Sequence, residues 1–353
     1  MYISAKMITM GIESSCDETS VAVLRDGRTL SSLTHSQAEH AVYGGVVPEV
    51  ASRAHLERID GLAKAAMEQG GVRPKDIDLI AVTDSPGLAG ALLVGVSFAL
   101  GMHAAHGIPI TGVNHLEGHI CSLFVDSDYD GGASNGFNTA DGVKAAPPFI
   151  VLLASGGHTA VYKYVSFGDC GLLGRTVDDA AGEAFDKVGK LLGFPYPAGR
   201  AIESEAAKAA NQGHSDITFP IARFSSPDKR HCFSFSGLKT AVKNFISSSG
   251  EHYINDNRPA LCAAFQQAVV KSLVLNVEAA AAEYGIKTVA IAGGVACNGY
   301  LRSVMRRRFG GGNVVCPPPH LCTDNGAMIA MAGQLMLQNN RPRFPIMDPG
   351  RGI

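Results

Sequence analysis

The chain has few charged residues and lacks paired cysteine motifs. Only 18% of its 353 residues are charged, and the net charge of −2 gives no overall nucleic-acid-binding signature. Its eight cysteines are scattered and form no Cys-x-x-Cys, which argues against a disulfide framework and a cysteine zinc site. A reducing, cytoplasmic setting is the simplest prediction. No basic segment followed by an apolar one opens the chain, so no secretory signal is predicted.

One long stretch lacks charge altogether. Asp, Glu, Lys and Arg are absent between Asp84 and Glu117, and residues 88–102 are strongly apolar. A membrane span needs about 20 apolar residues, whereas glycines at 87, 90, 95 and 101 interrupt this region and His103 and His106 follow. We therefore predict a buried helix over 86–103, with Ser85 as its N-cap and Pro86 at its first position, and no membrane contact.

Two familiar nucleotide-binding motifs are also missing. The chain has neither the Walker A loop nor the Gly-x-Gly-x-x-Gly of dinucleotide-binding folds. Three Gly- or Ser-rich turns nevertheless follow apolar strands, at residues 13–19, 154–159 and 292–298. Turns of this kind present backbone N–H groups to phosphate oxygens, although any single one can be purely structural. Three in one chain favour nucleotide binding.

The zinc-protease motif His-Glu-x-x-His is absent, although two histidines have its spacing. His115 and His119 are four residues apart, so on a helix they share a face and can bind one metal ion. Glu117 lies two places after His115, about 200° around the helix, where it is badly placed to activate a metal-bound water. The pair predicts a metal site without protease chemistry, or else two structural histidines.

A third ligand cannot be identified from spacing. Asp324 precedes the last predicted helix, which runs from Asn325 to about Gln338. An aspartate in that place is most often a plain N-cap. As a metal ligand it would complete two histidines and one carboxylate, a set that suits Fe(II) or Zn(II).

Further polar residues have both structural and functional interpretations. His158 follows two glycines at a strand end, where it could contact phosphate, move a proton, or simply be a loop histidine. Asp17 and Glu18 are adjacent carboxylates in the first turn, either solvated or with one entering a cleft. Residues 178–187 are an acidic helix start or a ribose-binding segment. Residues 234–239 lie in a locally basic stretch that could meet a polyanion.

The layout of the chain indicates an internal duplication. An apolar strand, a small polar turn, a threonine and a second strand occur around Thr19 and again around Thr159. This repeat predicts two similar α/β domains that face each other across a cleft. The predicted bounds are 7–125 for the first domain, completed by a C-terminal helix within 325–345, then a linker or loop at 126–147, and 148–324 for the second.

Charge is unevenly distributed along the chain. Residues 1–125 contain 8 Lys or Arg against 13 Asp or Glu, whereas residues 126–353 contain 22 against 19. Arg302 and Arg306 to Arg308 form a local basic run. Such a run is usually a solvated helix face, and a nucleic-acid contact is the alternative.

Together these motifs closely resemble the TsaD family of tRNA threonylcarbamoyladenosine synthesis proteins, formerly labelled glycoproteases. The matching segments follow the family's order from residue 7 to about residue 345. They are 11–19, 85–90, 115–119, 155–159, 178–187, 233–240, 293–298 and 322–327.

The resemblance implies a fold, a reaction and partners. The fold is the actin/hexokinase/Hsp70-like (ASKHA) fold, with two duplicated RNase H-like domains around a cleft. The reaction moves a threonylcarbamoyl group from threonylcarbamoyl-AMP to the exocyclic amine of the adenosine 3′ of the anticodon, in tRNAs reading codons that begin with A. The implied partners are a TsaB-like inactive paralogue, a TsaE-like ATPase and a synthase that makes the adenylate.

The resemblance also implies site residues. It implies that His115, His119 and Asp324 bind a metal ion, usually iron and sometimes zinc. It also implies that Glu18 and His158 are important for activity. The residues implied to contact the adenylate are Leu153, Ala154, Ser155, Gly156, Gly157, Asp186, Gly199 and Asn298.

Three other functions compete with this interpretation. A kinase or ATPase of the same fold would use carboxylates and Mg²⁺, which the two histidines argue against. A metalloendopeptidase, suggested by the old family label, is disfavoured by the position of Glu117. A purely structural partner protein is disfavoured by the intact metal-site and turn residues.

Overall fold

The computed structural model describes residues 7–127, 137–139, 142, 144–209 and 217–353, apart from the side chains of residues 41, 138, 251 and 255. It is a mixed α/β protein with two five-stranded sheets. Its residues group into two compact units. The first comprises Met1–Pro147, Val165–Cys170 and Pro317–Ile353, and the second comprises Pro148–Tyr164 and Gly171–Cys316.

The first unit is built on a sheet with the strand order β3-β2-β1-β4-β5, in which β1, β2 and β3 are antiparallel and β4 and β5 run parallel to β1. The strands are β1 (Ile8–Glu13), β2 (Glu18–Arg25), β3 (Arg28–Ser36), β4 (Leu79–Ser85) and β5 (Ile110–Asn114). The helices are α1 (Pro48–Gln69), α2 (Ala89–His106), α3 (His115–Cys121) and α10 (Gly326–Gln338).

Helices cover both faces of this sheet. Every residue of β1 and β4 is buried, as expected for strands that are packed on both sides. Helix α1 packs on β2 and β3, α2 packs on β4, and α10 packs on β1, β2 and β4. Strand β3 lies at the edge of the sheet, and its residues 32–36 alternate between exposed and partly buried positions.

Glycine permits the close approach of α10 to the sheet. A Cβ atom at Gly11 of β1 would lie 2.0 Å from the carbonyl oxygen of Gly326, and one at Gly326 would lie 2.6 Å from the backbone nitrogen of Ala22. Neither neighbour is a flexible side chain, so only glycine fits at these two positions. The contact places the start of α10 directly against β1 and β2.

The second unit repeats the strand order of the first, as β10-β9-β8-β11-β12. Its strands are β8 (Phe149–Ala154), β9 (Thr159–Ser166), β10 (Asp169–Arg175), β11 (Val289–Ala292) and β12 (Val314–Val315). Its helices are α4 (Ala181–Leu191), α5 (Gly199–Ala209), α6 (Ser236–Ser249), α7 (Glu251–Asp256), α8 (Arg258–Tyr284) and α9 (Gly299–Phe309). Thr19 and Thr159 both lie at the start of the second strand of their sheets, as the repeat predicts.

Some predicted boundaries were wrong. Helix α2 begins at Ala89 after the N-cap position Leu88, and Ser85 instead ends β4. Helix α1 begins at Pro48, because a proline is well tolerated in the first turn of a helix.

Part of the predicted linker at 126–147 is packed structure. Residues 128–136, 140, 141 and 143 lie outside the described residues. The remainder contains a two-stranded pairing of β6 (Phe137–Asn138) with β7 (Lys144–Ala145). Phe137 is buried, and its ring packs edge-on against Phe124 with the ring centroids 5.0 Å apart.

Two helices, α2 and α8, are long and apolar enough to cross a membrane by length and composition. Both pack within their own units, α2 against α1 and β4, and α8 against α5 and β8. Core helices of this kind pass the same test, so the two helices are weak evidence for a membrane span. None of the eight cysteines, all of which lie within the described residues, forms a disulfide.

Candidate metal centre and nucleotide-binding turn

The two histidines lie on the short helix α3, which begins where β5 ends. Their Nε2 atoms both face Oδ1 of Asp324, at 3.5 Å from His115 and 3.2 Å from His119. One ligand atom from each of the three residues lies within 4.8 Å of the others. Two imidazoles and one carboxylate at this separation could hold a single metal ion.

Asp324 is not the N-cap of the last helix. The cap of α10 is Asn325, whose side-chain oxygen accepts a hydrogen bond from the N–H of Met328 at 2.9 Å. The carboxylate of Asp324 is therefore not needed at the helix end and faces the histidines. The sequence favoured Asp324 as the cap because the helix was predicted to begin at Asn325, whereas it begins at Gly326.

Glu13 is a functional candidate that sequence reasoning missed. It ends β1, has no exposed surface, and accepts three hydrogen bonds. The donors are the Ser15 N–H at 2.6 Å, the Thr83 hydroxyl at 2.6 Å and Nδ1 of His115 at 3.0 Å. Because Glu13 accepts the hydrogen bond from Nδ1, the Nε2 atom of the same ring is left to face the metal position. A metal-binding histidine is usually oriented by a carboxylate in this way. The available signal was a carboxylate closing an otherwise apolar strand.

The buried carboxylates of this cluster favour positive charge beside them, and they shift the pKa values of the two histidines differently. Burial lowers the pKa of His115, but Asp324 and Glu13 outweigh that effect and raise it to about 9. These carboxylates thus draw positive charge to His115. Burial, and then the neighbouring His115, lower the pKa of His119, so its ring is neutral as metal ligation requires. Among the described residues, neither ring nitrogen of His119 has a hydrogen-bond partner, and Nε2 is the one that lies 3.2 Å from Oδ1 of Asp324.

The turn that carries Glu18 is fixed to α1 by His55. Nε2 of His55 donates to the carbonyl of Cys16 at 2.9 Å, so Nδ1 accepts from the hydroxyl of Thr19 at 2.7 Å. Glu18 accepts a hydrogen bond from the Ser36 hydroxyl at 2.9 Å. Burial, and then the nearby Asp324, raise the pKa of Glu18 to about 8, which suits proton exchange near neutral pH.

Glu117 is not part of the cluster that could hold a metal. Burial raises the pKa of its carboxyl, while Arg343, Arg341 and Arg351 oppose that rise. The acid that a zinc protease would need therefore lies outside the cluster and within the electrostatic influence of arginines of the C-terminal segment.

The glycine-rich turn of the second unit is closed by its own hydrogen bonds. Ser155 N–H donates to the carbonyl of His158 at 2.7 Å, and His158 N–H donates to the Ser155 hydroxyl at 3.2 Å. Gly156 and Gly157 between them are exposed, and a Cβ atom at either would meet no atom within 4 Å. Leu153 and Ala154 end β8 just before this turn.

Two other glycines bring neighbouring segments onto this turn. Gly182, in the first turn of α4, donates its N–H to the carbonyl oxygen of Ser155 at 3.1 Å. A Cβ atom at Gly182 would lie 2.5 Å from that oxygen. Gly293 has a φ of +86°, and a Cβ atom there would lie 2.4 Å from the Ala154 carbonyl oxygen. The turns at 154–159 and 292–298 and the start of α4 are therefore adjacent, as a phosphate cradle requires.

The other predicted adenylate contacts also lie in the second unit. Asp186 accepts a hydrogen bond from the N–H of Ala198 at 2.7 Å, next to Gly199 at the start of α5. Asn298 caps α9 through the N–H of Leu301 at 2.8 Å and donates to Gln266 at 2.8 Å. Gln266 is a buried residue of α8 that sequence reasoning missed.

The acidic segment at the start of α4 holds the segment 233–240. Asp178 accepts hydrogen bonds from the Ser234 hydroxyl and from the N–H of Phe235 at 2.8 Å. Asp179 pairs with Lys187 at 2.7 Å and with Lys239 at 3.6 Å. Both carboxylates are therefore engaged within the unit, although Asp178 is also exposed to solvent.

Comparison with known proteins decides the family. The sequence model of the TsaD family, described as tRNA N6-adenosine threonylcarbamoyltransferase, matches residues 28–331. The chain belongs to the TsaD family. Its TsaD relatives include the tRNA N6-adenosine threonylcarbamoyltransferase of Geotalea uraniireducens (strain Rf4), 47% identical and covering 95% of this chain and 92% of the relative. That of Thermosipho africanus (strain TCF52B) is 43% identical, with 93% of each chain covered.

A solved structure supports the fold of this TsaD family member. HypF of T. kodakarensis matches 96% of the chain with a TM-score of 0.59 at 16% identity. The chain spans about half of HypF, 49% of its length, so the likeness shows the fold alone. Together with the two sheets of equal strand order, it confirms the predicted ASKHA fold.

Proposed function

We propose that this protein is a cytoplasmic tRNA N6-adenosine threonylcarbamoyltransferase, which transfers threonylcarbamoyl from threonylcarbamoyl-AMP to the adenosine 3′ of the anticodon in tRNAs reading codons that begin with A. The observation that carries the proposal is the family match over residues 28–331. The convergence of His115, His119 and Asp324 supports it, because each lies within a segment that resembles the family.

We propose that these three residues hold an iron(II) ion, with zinc(II) as the alternative. Both ions accept two imidazoles and a carboxylate and keep open positions for further ligands. When bound, the metal supplies a Lewis acid that polarises a carbonyl or phosphate oxygen. Glu13 orients His115 toward it through the Nδ1 bond.

We propose that the second unit binds the adenylate donor. The exposed N–H groups of Gly156 and Gly157 suit the phosphate, with Leu153, Ala154 and Ser155 forming the strand end beneath them. Asp186, Gly199 and Asn298 are the proposed contacts to the nucleoside. The existing bonds from Asp186 to Ala198 and from Asn298 to Gln266 support a rigid pocket rather than a flexible one.

The proposed reaction forms a bond between the adenosine amine and the carbamoyl carbon and breaks the carbon–oxygen bond to phosphate, with AMP leaving. The amine is a weak nucleophile, while the mixed anhydride is already activated. The enzyme therefore needs mainly to orient the two reactants and to accept one proton from the amine. Glu18 and His158 are the candidates for that proton.

His158→Ala is expected to lower the turnover rate roughly 100- to 10,000-fold, the usual contribution of a general base. Metal content should be unchanged, since the cluster that could hold a metal contains no His158. Single-turnover transfer measured with saturating donor isolates this step. Full transfer activity in the variant would exclude His158 and leave Glu18, tested by Glu18→Gln.

Partners belong to the same proposal. We propose that tRNA is the acceptor and that a TsaB-like paralogue, a TsaE-like ATPase and an adenylate-forming synthase act with this chain. The excess of Lys and Arg after residue 126 supports a polyanionic acceptor.

The whole proposal is tested by reconstitution. The chain with its partners, threonine, bicarbonate, ATP and unmodified tRNA is expected to yield threonylcarbamoyladenosine, detected by mass spectrometry of digested tRNA. Absence of product with every partner present would contradict the proposal. Rapid ATP hydrolysis by the chain alone without tRNA would favour a kinase or ATPase. Casein cleavage abolished by Glu117→Gln but retained in His158→Ala would favour a protease.

A further inference from the structure

The C-terminal segment forms no helix or strand after α10, yet it is bonded along its length within the first unit. We call residues 343–352 the C-terminal strap. At its start, the N–H of Gly112 in β5 donates to the carbonyl of Arg343 at 2.9 Å, and the N–H of Arg343 donates to the hydroxyl of Thr111 at 3.2 Å. The strap therefore starts directly beside the strand that leads into α3.

A fully buried aspartate holds the middle of the strap. Asp84 has no exposed surface, and both of its carboxylate oxygens bond the guanidinium of Arg343. The same carboxylate accepts the N–H of Ile346 at 3.1 Å, and the Asp84 carbonyl accepts the N–H of Asp348 at 3.0 Å. A bidentate pair on a buried carboxylate fixes both position and orientation.

The end of the strap reaches the N-cap of the histidine helix. Asn114 Oδ1 accepts the N–H groups of Leu116 at 2.9 Å and Glu117 at 3.3 Å, and so caps α3. Its Nδ2 donates to the carbonyls of Arg351 at 3.0 Å and Gly352 at 3.3 Å. One side chain thus links the first turn of α3 to the end of the strap.

We propose that Asn114 and the C-terminal strap position α3, and with it the metal-binding faces of His115 and His119. This rests on the metal role proposed above. Helix α3 has seven residues, too few for a helix to keep its own geometry, so contacts at its ends set its direction. Asn114 is adjacent to His115, and the strap holds its amide group.

Two independent changes remove the same link. Asn114→Asp keeps an oxygen to cap α3 but loses the N–H donor, and a chain ending at Pro349 keeps Asn114 but loses both acceptors. Each is expected to raise the dissociation constant for Co²⁺, measured by its visible absorption, roughly three- to tenfold. Both changes remove the same interaction. The combined variant should therefore bind Co²⁺ no more weakly than the single variant with the lower affinity.

Amide hydrogen exchange supplies a second measurement that does not depend on metal. In the metal-free protein, peptides covering 115–121 should exchange faster in both variants, while peptides of α10 keep their rates. Met347→Ser is the matched control, since it changes a 40% exposed side chain and leaves the strap backbone intact. Its Co²⁺ affinity and exchange should equal those of the wild type.

Unchanged Co²⁺ affinity and exchange in both variants would overturn the proposal, as would fully additive losses in the combined variant. A loss of exchange protection throughout the first unit would also overturn it, because the strap would then support the whole unit rather than α3. A wild-type chain that binds Co²⁺ normally but makes no threonylcarbamoyladenosine would contradict the proposed function and leave this inference standing.

Discussion

Glu13→Gln is expected to weaken metal binding roughly 10- to 100-fold, the usual cost of losing the group that orients a ligating histidine. The carboxylate accepts three hydrogen bonds, and its pKa stays below the ordinary value although burial opposes this, because His115 lies beside it. A glutamine has one acceptor oxygen and must turn its NH₂ group toward one of the three donors. His115 would lose its fixed orientation or its neutralising charge.

The measurement is a competition titration with Zn²⁺ or Co²⁺ on the purified chain, followed by the transfer assay. Glu117→Gln is the matched control, because it removes a carboxylate from α3 itself without touching the cluster that could hold a metal. The control should bind metal within about twofold of the wild type, an energy difference of about 0.4 kcal/mol. Equal affinity in Glu13→Gln and the wild type would show that His115 does not need this support.

Gly326→Ala is expected to lower the free energy of unfolding by about 3 kcal/mol, the upper part of the usual range for overpacking a core. The added methyl group would lie 2.6 Å from the backbone nitrogen of Ala22 and 2.7 Å from the carbonyl oxygen of Gly11. Backbone atoms of two central strands cannot rotate away, so α10 must shift. Asp324, two residues upstream, would move with it, and metal affinity should fall as well.

Urea unfolding followed by far-UV circular dichroism measures the stability, and a Co²⁺ titration measures the site. Gly61→Ala is the control, an exposed position on α1 where a Cβ atom meets nothing within 4 Å. That change should stabilise the chain by about 0.5–1 kcal/mol, since alanine is the better helix former. Destabilisation by both variants alike would mean that the close approach of α10 to the sheet is not the cause.

The internal repeat was predictable because it consists of short sequence patterns that occur twice. Apolar runs followed by small polar turns occur around Thr19 and Thr159, and the two sheets have the same strand order. The structure changed details of the boundaries. Ser85 and Pro86 look like a helix start, yet Ser85 extends β4 because pairing with β5 continues to Asn114.

The site was predictable only where its residues are close in the sequence. The spacing of His115 and His119 places both on one face of a helix, whatever the rest of the chain does. Asp324 was implied only by the family resemblance. The neighbouring Asn325 caps the helix, which leaves the carboxylate of Asp324 facing the histidines. Glu13 was marked only by its place at the end of an apolar strand, and Gln266 gave no recognisable pattern.

The sequence by itself determined the repeated α/β layout, the histidine pair, the exclusion of a protease motif and the resemblance to the TsaD family. These features depend on short-range periodicity and on motifs of a few residues. The tertiary structure alone decided that Glu13, Asn114 and the C-terminal strap support the histidine helix. Such support joins residues that are about 100 to 240 positions apart, as from Glu13 to His115 and from Asn114 to Gly352. Hydrogen bonds of that range form only after the strands and helices have packed, so no local pattern records them.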